Sequence, residues 1–292
     1  ITQILNNMKI KHLLCFIALC LFFTPGKAQQ LSVMTLRNGA TVYIWEDKSK
    51  PDVFGMIAFK VGSVDDPEQY TGLAHYLEHV MFKGTQTIDA LDWEKEKPIY
   101  EKIIAKYDER AALSDPAARE AIDKEINDLT REAAQYAAGN EFSLLVDHMG
   151  GQGLNASTGY DQTEYHNSFP PSQLEKWLEI YSERLIDPVF RGFQTELEAV
   201  YEEYNMYNDD RGSRMREFIY EQAFGDHPYA RPIIGLPEHL KNPQLSKLID
   251  FYNTWYGPQN MSIILVGNID AKEAIPMIRD KFERVPRRAE IH

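Results

Sequence analysis

The chain has 292 residues, 43% of them hydrophobic and 26% charged, with a formal net charge of -13 at pH 7. That length and apolar content suffice for one large or two modest cores, and the acidic balance argues against nucleic acid or an anionic membrane surface as a partner. Both cysteines, Cys15 and Cys20, lie near the N-terminus, so the body of the chain must be held by packing rather than by disulfides.

From Met8 onward, Lys9 and Lys11 precede an apolar run at 13–23, followed by Thr-Pro-Gly-Lys-Ala ending at Ala28. A basic start, an apolar core of about 7–15 residues and a small residue before the cut describe a secretory signal peptide. The run is short of the roughly 20 apolar residues that span a bilayer. A buried helix is the alternative reading, but the terminal position and basic flank favour export. Residues 1–28 are therefore expected to be a removed leader, including the stretch before Met8. Residues 29–292 would form the mature domain, in the periplasm or outside the cell and without a membrane span. Ile17-Ala18-Leu19-Cys20 resembles a lipoprotein cleavage site only faintly, because leucine before the cysteine is the wrong size.

After the leader, alternating runs at 31–36 and 41–45 flank Arg37-Asn38-Gly39, an Asn-Gly signal for a tight hairpin. A third strand is expected at 53–61, then an acidic, Pro-containing loop at 64–70. The next stretch, TGLAHYLEHVMFKGT, runs from Thr71 to Thr85. His75 and His79 are four apart, so a helix projects both imidazoles from one face. Glu78 stands between them, giving H-x-x-E-H, a metal-peptidase signature. Two neutral imidazoles bind a borderline-soft ion such as zinc, and a nearby unligated carboxylate can deprotonate the metal's water. Gly84 fits a C-terminal stop for this helix.

Residues 89–141 alternate charged side chains with Ile99, Ile103, Ile104, Tyr107, Ile122, Ile126 and Leu129 at helical spacing, broken at Ser114-Asp115-Pro116. That pattern predicts two antiparallel helices, a hairpin insertion with one apolar stripe and one solvated face. Gly150-Gly151-Gln152-Gly153 is followed by strand-like sequence at 154–169 with a turn at Gly159. It is therefore read as a close-approach or turn element rather than a phosphate loop, which needs a following helix. His148 and His166 have no partner at ligand spacing and are read as ordinary polar residues. An amphipathic helix is expected at 171–185 and a glutamate-rich one at 193–206. On the latter, Glu198 and Glu202 read as solvated. Glu196 and Glu203 are seven apart on one face, and either could complete a two-histidine, one-carboxylate site with an open position. A last buried strand at 261–266 and a helix at 271–282 close the pattern, which predicts an α/β (α+β) fold with a mostly antiparallel sheet and helices packed on one face.

GLAHYLEHVMFKGT, followed by ELEAVYEE and HPYARPIIGLPE, resembles the pitrilysin/insulinase family of inverzincin zinc peptidases, which includes mitochondrial processing peptidase. The resemblance spans roughly residue 31 to the C-terminus. It implies one zinc ion held by His75, His79 and Glu203, with Glu78 as general base and Glu196 as a supporting carboxylate. It also implies that Asn155 and Ala156, in the Gly-Leu-Asn-Ala stretch, pair with the backbone of a peptide substrate. His227-Pro228-Tyr229 matches a family loop read as structural. The spacing from His79 to Glu203 exceeds what is usual, by an excess the insertion at 89–141 accounts for. Family members usually continue into a second homologous domain, in the same chain or a partner, so such a partner is expected here. The implied activity is endoproteolysis of peptides or unfolded segments. The alternatives are a non-catalytic core subunit, which would be expected to lose ligands or the glutamate, and a half-enzyme active only with its partner.

Overall fold

A computed structural model describes residues 30–288, so the leader expected at 1–28 lies outside the described residues. The strands are β1 (Gln30–Thr35), β2 (Thr41–Glu46), β3 (Val53–Phe59), β4 (Gln152–Thr158), β5 (Thr163–Phe169) and β6 (Met261–Gly267). The helices are α1 (Leu73–Val80), α2 (Trp93–Ala112), α3 (Pro116–Ala133), α4 (Glu141–His148), α5 (Leu174–Ile186), α6 (Phe193–Asp209), α7 (Arg211–Phe224), α8 (Pro237–Leu240), α9 (Leu245–Trp255) and α10 (Ala271–Phe282).

The strands form a single six-stranded sheet in the order β1-β2-β6-β3-β5-β4. β3 runs antiparallel to both β5 and β6, β4 is antiparallel to β5, and β2 pairs with β6 in parallel. The expected mostly antiparallel α/β fold is therefore present. The last strand in the sequence sits in the middle of the sheet, between the second and the third. Strict alternation explains which face is covered: Val53, Gly55, Ile57 and Phe59 of β3 are buried, as are Ile263 and Leu265 of β6, whereas Tyr43 and Trp45 of β2 lie on the open face. Helices cover the buried face. Gly55 permits the closest approach, since a Cβ there would stand 2.5 Å from a ring carbon of Trp177 on α5.

The hairpin at 89–141 resolves into α2 and α3, joined through Asp115, whose side chain accepts from the Ala118 N–H, and Pro116 at the first helical position. Its apolar stripe, Ile99, Ile103, Tyr107, Ile122 and Ile126, is buried. The hairpin ends at Ala133, and a separate short helix, α4, takes up 141–148. The glycine cluster leads into β4 rather than a helix. Among the described residues, no helix is long and apolar enough to cross a membrane.

The metal-motif helix α1 spans only eight residues and ends at Val80, four residues before Gly84, which instead supports a left-handed turn against Asp89. Its N-terminus is fixed by Gly72 at φ 88, where a Cβ would meet the Ile234 carbonyl oxygen at 2.6 Å. Asp66 caps the same end: its carboxylate accepts from the Gly72 N–H at 2.7 Å and the Ala74 N–H at 2.9 Å. At the other end the buried Arg184 donates to the Met81 carbonyl at 3.0 Å, its guanidinium lying among the rings of Phe142, Tyr165 and Phe82 at 4.4, 4.5 and 4.8 Å. Asp66 thus meets two of the N–H groups that a helix leaves free at its N-terminus, and the positive Arg184 at the C-terminus complements the helix dipole.

Burial pushes the Asp66 carboxyl up to about 7, more than the two N–H donors and Arg231 pull it down, with Asp65 adding to the rise. An unfolded aspartate titrates near 3.9. Between about pH 4 and 7 the folded chain therefore keeps a proton that the unfolded chain releases, and stability falls as pH rises through that window. In Asp66→Asn this slope should disappear. The variant should also leave one backbone donor unmet, a cost of about 1–3 kcal/mol, so it should be less stable than the parent at pH 5 and closer to it at pH 8. Urea titrations at both pH values test this, and parallel profiles would contradict it.

Candidate metal centre

Helix α1 presents His75 and His79 on one face, with ring centroids 4.9 Å apart and planes at 76°. Helix α6 lies across from it. The Oε2 atom of Glu203 stands 3.4 Å from His75 Nε2 and 3.7 Å from His79 Nε2. One donor atom from each of the three residues lies within 4.8 Å of the others, and among the described residues no other group of three or more His, Cys, Asp or Glu converges in this way. Tetrahedral donors about 2.1 Å from one ion stand about 3.4 Å apart, so the donor chemistry and the spacing both suit a zinc ion.

Glu196, two turns earlier on α6, takes a different place. Its Oε2 is 3.5 Å from His79 Nδ1, the far side of the ring from Glu203, and its Oε1 pairs with Lys83 Nζ at 2.6 Å. A carboxylate there fixes the ring tautomer that leaves Nε2 free as a donor. Glu78 points into the same cavity, where its Oε2 accepts from Thr158 Oγ1 at 2.6 Å.

The electrostatics follow from burial against these pairings. Burial, helped by the neighbouring His79, lowers the His75 pKa to about 4, so its ring is neutral near pH 7. Burial would also lower His79, but Glu196, Glu203 and Glu78 outweigh it and shift that ring upward. Burial raises Glu78 against the pull of the Thr158 hydroxyl. For Glu196, burial is overcome by His79 and Lys83, and its pKa falls.

These groups line a cavity of about 910 Å³. Asn155 and Ala156 border it from β4, the terminal strand of the sheet order, whose register against β5 is interrupted between Gln152 and Asn155. Tyr207, Arg216 and Glu217 on α6 and α7 also line the cavity. The structure thus brings together His75, Glu78, His79, Glu196, Glu203, Asn155 and Ala156. His148 lies outside this group, and His166 is on the open sheet face with its ring 5.4 Å from that of Phe54. In the loop at 227–229, His227 Nδ1 accepts from the Tyr229 N–H and Tyr229 donates to Asp161.

Sequence reasoning missed Thr158, Lys83, Asp66 and Arg184. Strand alternation from Ala156 points to Thr158, and Lys83 follows His79 by four residues. Asp66 and Arg184 meet α1 only through tertiary contacts, so no local pattern marks them.

Residues 41–97 and 129–236 match the family described as insulinase (peptidase family M16), and residues 244–292 match the peptidase M16 inactive domain. The chain is 25% identical over 270 residues to the probable zinc protease PqqL of Escherichia coli (strain K12), covering 88% of this chain and 23% of that protein. The fold is similar to a protease from Helicobacter pylori, with a TM-score of 0.70 at 22% identity over 90% of this chain and 52% of the other. It is also similar to the first half of the periplasmic protease PqqL from Escherichia coli, with a TM-score of 0.67 at 25% identity over 90% of this chain and 49% of the other. The chain spans less than half the length of the curated relatives it matches. With more than half of its residues matched, the site helices and the edge strand among them, this chain belongs to the pitrilysin/insulinase family of peptidases, whose named relatives are zinc proteases.

Proposed function

We propose that this chain is the metal-bearing part of an exported zinc endopeptidase that cleaves peptides or unfolded segments of polypeptide. The observation that carries the reading is the meeting of His75 Nε2, His79 Nε2 and Glu203 Oε2 at 3.4 and 3.7 Å, with Glu78 in the same cavity. A zinc ion held there would lower the pKa of a bound water towards about 7 and polarise the scissile carbonyl. Glu78, steadied by Thr158, takes the proton of the attacking water and passes it to the leaving amine. Glu196 holds His79 in orientation. The exposed edge of β4 accepts the substrate as an added strand, so that Asn155 and Ala156 contact its backbone with little demand on its sequence. A second homologous domain, in the same chain or a partner, covers the cavity. Export is supported by the leader-like start of the sequence and by the periplasmic description of the PqqL relative.

The test is zinc content and cleavage of an unstructured fluorogenic peptide by the purified chain, alone and joined to a homologous second domain. One zinc per chain and chelator-sensitive cleavage, in either form, are expected. A chain that binds zinc but cleaves in neither form would point to a core subunit without catalysis.

A further inference from the structure

The family match skips residues 98–128, the outer part of the α2–α3 hairpin. Those residues nevertheless reach the segment that leads into α6. On one face of α2, Tyr100 and Tyr107, together with Glu96 just before them in the matched stretch, each hold a residue just ahead of, or opening, the glutamate helix. Glu96, 1% exposed, grips Arg191 through two bonds of 2.6 and 2.7 Å. The Tyr100 hydroxyl accepts from the Phe190 N–H at 3.2 Å. The Tyr107 ring meets Phe193 edge-on at 4.7 Å, and its hydroxyl donates to Gln194 Oε1 at 3.4 Å.

Phe193 is held from the other side by the metal-motif helix. Its ring lies 4.8 Å from that of Tyr76, and its carbonyl accepts from the Tyr76 hydroxyl. Arg191 also donates to the carbonyls of Lys83 and Ile88, just beyond α1. The first residue of α6 therefore sits between the hairpin and the helix of His75 and His79. Gly192, at φ 62, immediately precedes it and would otherwise let the entry swivel. Helix α2 is itself tied down, by Ser246 donating to Asp108 at 2.6 Å and by ion pairs from Lys106 to Glu125 and Arg110 to Asp123 on α3.

We propose that α2 braces the carboxylate side of the metal centre, with Tyr107 and Tyr100 as positioning residues that set the placement of α6 and hence of Glu203. The inference rests on the reading of His75, His79 and Glu203 as ligands. The lever is simple: Glu203 lies ten residues beyond Phe193, roughly 15 Å along a rigid helix, so a tilt of a few degrees at Phe193 moves its carboxylate by about 1 Å. Metal–ligand distances tolerate only about 0.2 Å.

The experiment measures zinc affinity of the whole chain by competition with a chromophoric chelator, together with the ligand-field absorption of the cobalt(II) form. Tyr107→Leu should weaken zinc binding about 10-fold, the lower end for groups that orient a ligand, and change the cobalt spectrum, whereas Tyr107→Phe should largely restore both. Tyr100→Phe, which keeps the ring and loses the bond to Phe190, should weaken binding about threefold. Ile126→Ala, in the hairpin core on α3, should lower Tm without moving either metal readout. If Tyr107→Leu and Tyr100→Phe lower Tm but leave affinity within about twofold and the cobalt spectrum unchanged, the hairpin only packs and the proposal is overturned. If the unsubstituted chain binds neither metal, the ligand assignment fails first and the brace falls with it.

Discussion

Glu203→Gln is expected to leave the chain almost free of zinc at neutral pH, while Glu196→Gln keeps much of the metal and turns over slowly. The two glutamates share a helix face two turns apart, and their environments separate their roles. Glu203 Oε2 lies 3.4 and 3.7 Å from the two Nε2 atoms, whereas Glu196 addresses the far nitrogen of His79 and the Lys83 ammonium. An amide at 203 removes the anionic donor and leaves two imidazoles, too few to hold the ion firmly. An amide at 196 weakens the hold on the His79 ring, the kind of loss that costs about 10–100-fold in affinity or activity. Metal analysis after dialysis of each variant checks this. Equal zinc content in the two, or the reverse order, would exchange the roles.

The second large effect is expected at Glu78. Glu78→Gln should bind zinc as the parent does and lose roughly 10²–10⁴-fold in turnover, because the carboxylate handles the proton of the water and does not hold the ion. Its hydrogen bond from Thr158 at 2.6 Å can be kept by the amide oxygen, so the fold should be undisturbed. Zinc stoichiometry, Tm and peptide cleavage measured on one preparation separate the possibilities. Loss of zinc together with activity would make Glu78 a ligand. Unchanged cleavage would assign the proton transfer elsewhere.

Much of the site was legible because its chemistry is local. The spacing of His75, Glu78 and His79 is a property of one helix, alternation marks the runs of β1 and β2, and the apolar runs at 53–61 and 261–266 mark β3 and β6. The choice between Glu196 and Glu203 was not decided by spacing, since both face the same way; it depends on how α6 docks against α1. The placement of β6 between β2 and β3 is likewise non-local, and nothing in the run at 261–266 names its neighbours. Helix α7 went unread because its outward residues Met215, Phe218 and Ile219 are apolar yet exposed, while Ser213 is buried, which inverts the usual stripe. Helix α9 went unread although Leu245, Leu248, Phe251 and Tyr252 carry a helical stripe. Asp66 sits in an acidic loop that reads as solvated. It is buried because the chain folds back to bring Ile234 and Gly235 against Gly72.

The most direct measurement is an anomalous difference map from crystals of the zinc-loaded chain, collected on both sides of the zinc absorption edge. One peak is expected, about 2.0–2.2 Å from His75 Nε2, His79 Nε2 and a Glu203 carboxylate oxygen, with Glu196 against His79 Nδ1 and out of coordination reach. No peak between α1 and α6, or a peak bound by Glu196 with Glu203 turned to solvent, would contradict the assignment.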